Sequence, residues 1–206
     1  MLSFSLQPSS IILPIIAYLL GSLPFGVWIG RLFIGRDIRA GGSGHSGATN
    51  ALRQAGWRAA ALVVALDLAK GFAAEWLAVR YGNGLTPVFA GAAVVAGHCW
   101  PLFAGFRGGM GLAPAGGALL AVYPLGMAIG LGLIIAAMLL LRHAARGSVV
   151  AGLLFGPALW LVTRSSQITL IGLAVGLIVA VRFFADWGRK YRELWLDREK
   201  QTTDDR

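Results

Sequence analysis

Long apolar stretches dominate this 206-residue chain and constrain its fold more than any other feature. A helix needs about 20 apolar residues to cross a bilayer core about 30 Å thick. Only 13% of the residues are charged, against about 25% in an average soluble domain, which excludes an ordinary water-soluble globule. The sequence predicts an all-α integral membrane protein with five full transmembrane helices, at Ile11–Phe33, Ala59–Tyr81, Thr86–Phe106, Val149–Val162 and Ile168–Phe184.

A further apolar stretch, Pro114–Leu141, is interrupted by Tyr123 and Pro124 and contains several glycines. Two full crossings would be short in this length, because a helix rises only about 1.5 Å per residue. A bent or re-entrant helix pair is therefore predicted here. With the five spans it makes seven helical segments.

The basic residues predict that the N-terminus lies outside and the C-terminus in the cytoplasm. With that orientation, Arg80 and Arg164 alone among the 18 Lys+Arg face outward, and Lys70 lies in the membrane. The net charge of +9 then belongs to cytoplasmic loops facing anionic lipid, and no nucleic-acid-binding motif accompanies it. The whole chain, 1–206, is predicted to be one membrane-embedded domain with a cytoplasmic tail over about 188–206.

A glycine-rich loop before the second span is the first candidate site. Its glycines let backbone N–H groups converge on an anion, and the N-terminus of the following helix points to the same place. The loop and its flanks combine glycines with hydrogen-bond donors and positive charge: Arg39, Gly42, Ser43, Gly44, Gly47, Thr49, Asn50 and Arg53. This composition suits a phosphate group; the alternative is a flexible surface loop.

A second glycine-rich loop, Phe106–Pro114, contains Gly108, Gly109 and Gly111 next to Arg107. Glycines again permit close approach of the backbone to a ligand. The alternative is a tight turn between helices, and the spacing alone does not choose between the two.

Ionisable residues inside predicted spans are costly in lipid and so mark candidate sites. Asp67 and Lys70 lie three residues apart on one helical face and can pair with each other. Glu75 and His98 are also membrane-embedded, and His98 is either a general base or a polar contact between helices. No His, Cys or carboxylate cluster has metal-ligand spacing, so no metal site is predicted.

Taken in order, these motifs closely resemble the PlsY family of bacterial integral-membrane acyl-phosphate:glycerol-3-phosphate acyltransferases. The resemblance is specific between about Tyr18 and Pro114 and looser beyond. It rests on Gly21-Ser22-Leu23-Pro24-Phe25-Gly26, Asp37-Ile38-Arg39, Gly42-Ser43-Gly44, Gly47-Ala48-Thr49-Asn50, Arg53, Asp67, Lys70-Gly71, Gly97-His98, Pro101 and Gly108-Gly109.

The resemblance implies transfer of a fatty acyl group from acyl phosphate to the 1-hydroxyl of glycerol 3-phosphate, giving lysophosphatidic acid for phospholipid synthesis. It also implies a multi-pass protein of the bacterial inner membrane that needs no cofactor and has membrane lipids and an acyl-phosphate-producing enzyme as partners. It assigns catalysis to Ser43, Asn50, Arg53 and His98. It assigns substrate or phosphate binding to Ser22, Arg39, Gly42, Gly44, Gly47, Thr49, Lys70, Arg107, Gly108, Gly109, Gly111 and Ser148.

The sequence also departs from the family pattern at several positions. In the second loop, the family has a lysine at the position of Met110 and a threonine at the position of Pro114. Near the C-terminal tail, it has a histidine at the position of Phe183 and an asparagine at the position of Asp186. It also has an asparagine at the position of His45 and a serine at the position of Ala145. The missing lysine favours an alternative, a catalytically impaired relative that binds a lipid precursor or a partner, whereas the intact first loop opposes it. A small transporter is a third reading, opposed by the absence of an evident inverted repeat.

Overall fold

The computed structural model describes residues 7–189, and all regular structure in that range is helical. The α-helices are α1 (Pro8–Gly21), α2 (Phe25–Ile34), α3 (Ala48–Tyr81), α4 (Thr86–Cys99), α5 (Leu112–Val122), α6 (Pro124–Leu141), α7 (Ala144–Thr163) and α8 (Ser166–Phe184). Two short 3-10 turns, Ile38–Ala40 and Leu102–Ala104, precede the two glycine-rich loops. The predicted tail lies, apart from residues 188 and 189, outside the described residues.

Within residues 7–189, five helical segments are long and apolar enough to cross a membrane: Pro8–Ile34, Thr86–Ala104, Pro124–Leu141, Ala144–Thr163 and Ser166–Phe184. This confirms the all-α membrane fold. The predicted span Ala59–Tyr81 is helical as part of α3 but is not among the five. It carries the charged residues Asp67, Lys70 and Glu75, which lower its hydropathy and are all buried inside the bundle.

The first span consists of two helices, which the sequence analysis treated as one. The chain leaves helical geometry between Ser22 and Pro24, and α2 begins at Phe25. Proline has no backbone N–H to donate and disfavours helical geometry in the residue before it, so Pro24 explains the break. When α1 and α2 are counted together as one span, residues 7–189 contain seven helical segments, the number that the sequence predicted.

The apolar stretch Pro114–Leu141 is divided at Tyr123, as predicted. Tyr123 has extended backbone angles (φ −157°, ψ 88°), and Pro124 opens the next helix. The two parts are unequal, because α5 has 11 residues and α6 has 18. The pair therefore combines one short helix with one that is itself long enough to cross.

Glycines let the helices that support the two loops pack backbone to backbone. A Cβ atom on Gly71 of α3 would clash with the carbonyl of Pro114, and one on Gly117 of α5 would clash with the carbonyl of Leu68. Small residues at such contacts allow the close helix approach that stabilises membrane bundles. The second loop, which immediately precedes α5, is thereby placed beside the middle of α3.

Candidate active site

The first glycine-rich loop is organised by the buried side chain of Asn50. Its Nδ2 atom lies within hydrogen-bond distance of three carbonyl oxygens, those of Ile38 (2.8 Å), Gly41 (3.2 Å) and His45 (2.8 Å). Its Oδ1 atom accepts a hydrogen bond from the backbone N–H of Ser43 at 3.0 Å. One amide thus contacts four backbone groups, which makes this a folded loop with a defined shape.

The two glycine-rich loops are joined directly to each other, and Arg39 makes most of the connection. Its Nη1 atom donates to the carbonyl oxygens of Ala104 and Arg107, each at 2.7 Å. Its Nε and Nη2 atoms are held by the carboxylate of Asp37, and the hydrogen bond from Arg39 lowers the pKa of that carboxyl. All three guanidinium nitrogens contact protein oxygens, so Arg39 holds the loops in place.

A second connection joins the loops by backbone alone, since the N–H of Ser46 donates to the carbonyl of Gly108 at 3.3 Å. The loops are therefore on the same side of the bundle and in contact. Backbone N–H groups of both loops can therefore face one ligand.

Three buried polar side chains form a chain behind the loops. Lys70 Nζ lies 2.8 Å from Asp67 Oδ1, which confirms the predicted pair, and it also donates to the carbonyl of Leu23 at 3.1 Å. His98 Nδ1 lies 3.4 Å from the same Asp67 oxygen. The imidazole packs so closely on Gly109 that a Cβ atom there would clash with its Nε2 atom. Asp67 thus orients His98, and Gly109 leaves room for its ring.

These elements surround a cleft of about 310 Å³ between the first loop, α3, α4 and the start of α5. Seven of the residues implied by the resemblance line it: Ser43, Gly47, Thr49, Asn50, Arg53, His98 and Gly111. Three of the departures from the family pattern, His45, Met110 and Phe183, line the same cleft. Arg53 supplies positive charge where the lysine is missing.

An apolar groove of about 260 Å³ adjoins this cleft and runs between α3 and the last four helices. The groove and the cleft share Val64, Leu112 and Ala113 in their walls. The remaining lining consists of Gly, Ala, Val, Leu, Ile, Met and Phe, so all of it is apolar. The arrangement offers a polar site continuous with a compartment for a hydrocarbon chain.

The other predicted site residues fall outside the cleft. Gly44, Arg107 and Gly108 line a neighbouring basin, whereas Ser22, Arg39, Gly42, Lys70, Gly109 and Ser148 line neither space. Ser22 and Ser148 are fully buried, and their hydroxyl oxygens have no hydrogen-bond partner among the described residues. Those two serines are the predicted binding residues least accessible to a ligand.

Sequence reasoning missed two contacts that shape the site. Asp67 was assigned only to Lys70, but it also lines the cleft and contacts His98. His45 Nε2 lies 3.1 Å from Asp186 Oδ2, and its Nδ1 lies 3.0 Å from the carbonyl of Ser43. Burial, together with the charge of Arg182, lowers the pKa of His45 to about 4. The only sequence signal for the second contact is that both residues depart from the family pattern.

Comparison with known proteins gives concordant results. The family model described as glycerol-3-phosphate acyltransferase matches residues 11–192. A glycerol-3-phosphate acyltransferase of Enterococcus faecalis is 48% identical over 115 residues, which are 55% of this chain and 53% of that protein. A relative of the same name from Chlorobaculum parvum is 38% identical over 68% of this chain and 66% of that protein. One from Listeria monocytogenes is 38% identical over 69% of this chain and 74% of that protein. The match thus spans about half to three quarters of these relatives.

Solved structures show the same similarity. The crystal structure of PlsY, an integral membrane glycerol 3-phosphate acyltransferase, in its glycerol 3-phosphate form is 34% identical in sequence, with a TM-score of 0.76. The crystal structure of the lysophosphatidic acid form is 31% identical in sequence to this chain, with a TM-score of 0.74. Each comparison covers 88% of this chain and 91% of the other.

Proposed function

Since the chain belongs to the glycerol-3-phosphate acyltransferase family, PlsY, we propose that it transfers a fatty acyl group from acyl phosphate to the 1-hydroxyl of glycerol 3-phosphate. The products are lysophosphatidic acid, for phospholipid synthesis, and inorganic phosphate. The site of the reaction is the cytoplasmic face of the bacterial inner membrane. The acyl donor comes from an acyl-phosphate-producing enzyme.

One observation carries this proposal, namely the continuity of the apolar groove with the polar cleft through Val64, Leu112 and Ala113. An acyl phosphate has a long hydrocarbon chain and a dianionic end, and it needs both environments at once. The groove gives the hydrocarbon chain surroundings as apolar as the lipid, so the chain can lie beside the cleft without meeting water. The cleft is left to select the headgroups.

The cleft binds anions through charge and backbone groups. Arg53 lines it, and α3 begins beside it at Ala48 with no acidic residue in its first turn. The first N–H groups of a helix have no partner inside the helix and point along its positive dipole end. Ser43 and Thr49 add hydroxyl donors at the same wall. These groups hold the phosphate of glycerol 3-phosphate.

The reaction needs positioning more than activation, because the acyl phosphate is already an activated donor. The 1-hydroxyl oxygen forms a bond to the acyl carbonyl carbon, and the bond from that carbon to the phosphate oxygen breaks. The electron pair leaves with phosphate. His98, oriented by Asp67 at 3.4 Å, accepts the hydroxyl proton. The backbone N–H groups at the cleft wall stabilise the developing negative charge.

A second candidate is a catalytically impaired relative that binds a lipid precursor or a partner. The observation that favours it is the presence of Met110 and Phe183 in the cleft, where the family pattern has two polar residues. The loss of a charge-assisted contact costs about 1.5–3 kcal/mol, enough to weaken binding but not to abolish the groove or the first loop.

The test is an assay of the full chain in lipid nanodiscs, with acyl phosphate and glycerol 3-phosphate as substrates. We expect lysophosphatidic acid by mass spectrometry, with one phosphate released per molecule formed. Arg53→Gln and Ser43→Ala should lower kcat/KM for glycerol 3-phosphate by about tenfold or more. Arg36→Gln, which removes an exposed arginine bound only to the side chain of Gln54 in the hydrogen bonds described, is the matched control and should match wild type. A folded wild-type protein that makes no lysophosphatidic acid would establish the impaired relative instead.

A further inference from the structure

The apolar groove beside the cleft is closed at the end that lies away from the loops. Along α5 it extends from Leu112, which it shares with the cleft, to Leu119. Leu119 is 3% exposed, and Phe155 of α7, which also lines the groove, is 5% exposed. Both belong to a packed apolar cluster with the fully buried Leu159, and Met127 packs against that cluster. The groove therefore ends against side chains that have little room to move.

Two glycines keep the groove open just before this end. A Cβ atom on Gly116 of α5 would lie 3.3 Å from Leu68 Cδ2 and 3.5 Å from Met127 Sδ. A Cβ atom on Gly130 of α6 would lie 3.2 Å from Cε2 of Phe155. All five residues line the groove. A side chain at Gly116 would therefore narrow the groove between Leu68 and Met127.

The groove is shorter than the tail of an ordinary membrane lipid. Leu112 and Leu119 are separated by about 10 Å of helix, because each residue adds about 1.5 Å. A bilayer core about 30 Å thick contains two layers of lipid tails, so one tail spans about 15 Å. A chain of that length, with its first carbons in the cleft, extends to the closed end of the groove. The residues at that end are the ones that contact the tip of the chain.

We propose that the closed end of the groove selects the acyl donor by its chain length. Gly116 determines how wide the groove is, and Leu119, Met127 and Phe155 determine where it ends. The inference rests on the proposed function, because the chain in question is that of the donor. A chain that fits exchanges lipid for equally apolar surroundings. A longer chain has to displace packed side chains, which is unfavourable because a well-packed core resists added methylene groups.

The selection is tested by binding alone, with the full chain in nanodiscs and a series of alkyl phosphates from octyl to hexadecyl phosphate. These ligands carry a phosphate and a hydrocarbon chain but no acyl group to transfer. The rise in melting temperature with ligand concentration reports the affinity. For the wild type, the affinity should reach a maximum at one chain length and fall beyond it. Comparing each variant with wild type at the same chain length cancels the partition of the ligand into lipid.

Two kinds of substitution should shift the preferred length in opposite directions. Gly116→Ala should weaken binding of the chain that wild type prefers by about tenfold, since apolar pockets discriminate single methylene groups by about that factor or more. Shorter chains should bind it as they bind wild type. Phe155→Leu should shift the preference to longer chains, and Met127→Ala, at a less buried position, should act in the same direction. Gly132→Ala is the matched control, because Gly132 of α6 lies outside the groove with no atom within 4 Å of a Cβ position, and it should behave as wild type.

The proposal is overturned if wild type shows no maximum, or if Gly116→Ala and Met127→Ala keep the wild-type preference. The end of the chain would then leave sideways into the lipid at Val64 and Leu131, which line the groove and are 39% and 54% exposed. Where acyl transfer occurs, an equal mixture of acyl phosphates should give lysophosphatidic acid whose chain lengths shift as binding does. A protein that binds alkyl phosphates with this preference but makes no lysophosphatidic acid would contradict the proposed function and leave the length selection standing.

Discussion

His45 Nε2 lies 3.1 Å from Asp186 Oδ2, so two residues that each differ from the family pattern contact one another. The contact joins the first glycine-rich loop to the chain just beyond α8. The resemblance implies asparagine at both positions, where this chain has an imidazole and a carboxylate. The Asp186 carboxylate faces His45 and lines neither the cleft nor the basin.

The first prediction is that His45 and Asp186 are energetically coupled. His45→Asn and Asp186→Asn should each lower the free energy of unfolding, because each removes the contact between the imidazole and the carboxylate. The double variant should recover part of the loss, with a coupling energy of about 0.5–3 kcal/mol. Denaturant unfolding of the four proteins in one detergent measures this. Strict additivity would mean that the contact has no energetic role.

The second prediction concerns pH. The pKa of His45 is about 4 in the folded protein, compared with 6.5 for an unperturbed histidine, because burial and Arg182 disfavour its charged form. Between these values the unfolded chain binds a proton that the folded chain does not. Stability should therefore be fully retained above pH 6.5 and fall as the pH is lowered toward 4.

Melting temperatures measured across this range check the prediction. The His45→Asn variant, which has no group to titrate at that position, should show a shallower decline than wild type. Equal slopes for the two proteins would assign the pH dependence to other groups.

The third prediction is that Met110→Lys improves catalysis. Met110 lines the cleft, so a lysine there adds a cation to the charge of Arg53. One charge-assisted contact to phosphate should lower KM for a phosphate-bearing substrate by about tenfold. Met110→Leu is the control without charge and should leave KM near the wild-type value. Unchanged kinetics in both variants would mean that this side chain does not reach a substrate phosphate.

The fourth prediction contrasts two buried acids of α3. Neither carboxylate oxygen of Glu75 has a hydrogen-bond partner among the described residues, whereas Asp67 pairs with Lys70 at 2.8 Å. Glu75→Met should raise the free energy of unfolding by about 1–3 kcal/mol, because it removes an unsatisfied polar group. Asp67→Asn should lower it by about 3–5 kcal/mol, because it leaves Lys70 without its counter-charge. If Glu75→Met destabilised the protein as Asp67→Asn does, Glu75 would have a stabilising partner.

The fold was readable from the sequence where the signal is local. Hydropathy located four of the five spans, and it missed that Pro124–Leu141 is long enough to cross by itself. Tyr123-Pro124 located the bend between α5 and α6. The break at Pro24 was equally local but was overlooked, because the apolar run continues through it. Within α3, the charged residues Asp67, Lys70 and Glu75 lowered the hydropathy of the helix, although the bundle buries all three of them.

The site was predictable only in part, because its key contacts join residues far apart in the chain. The first loop could be recognised from its own composition, and the Asp67–Lys70 pair from helical spacing. The contact of His98 with Asp67 depends on how α4 packs against α3, and the spacing of residues along the sequence does not predict that packing. For Arg39 the sequence predicted a ligand contact that the structure does not support. Its charge indicated a ligand contact, but the fold uses its guanidinium to hold the second loop.

That use of Arg39 restricts how the protein can respond to its ligands. A carbonyl of the second loop, a carbonyl of the 3-10 turn before it and a carboxylate beside the first loop all contact the guanidinium of Arg39. Neither loop is therefore free to move as an independent lid. The anion-binding surface is thus pre-organised, and little conformational entropy is lost when a headgroup arrives. On the proposed function, the slow step of binding is then expected to be the entry of the donor's hydrocarbon chain between the helices from the lipid side.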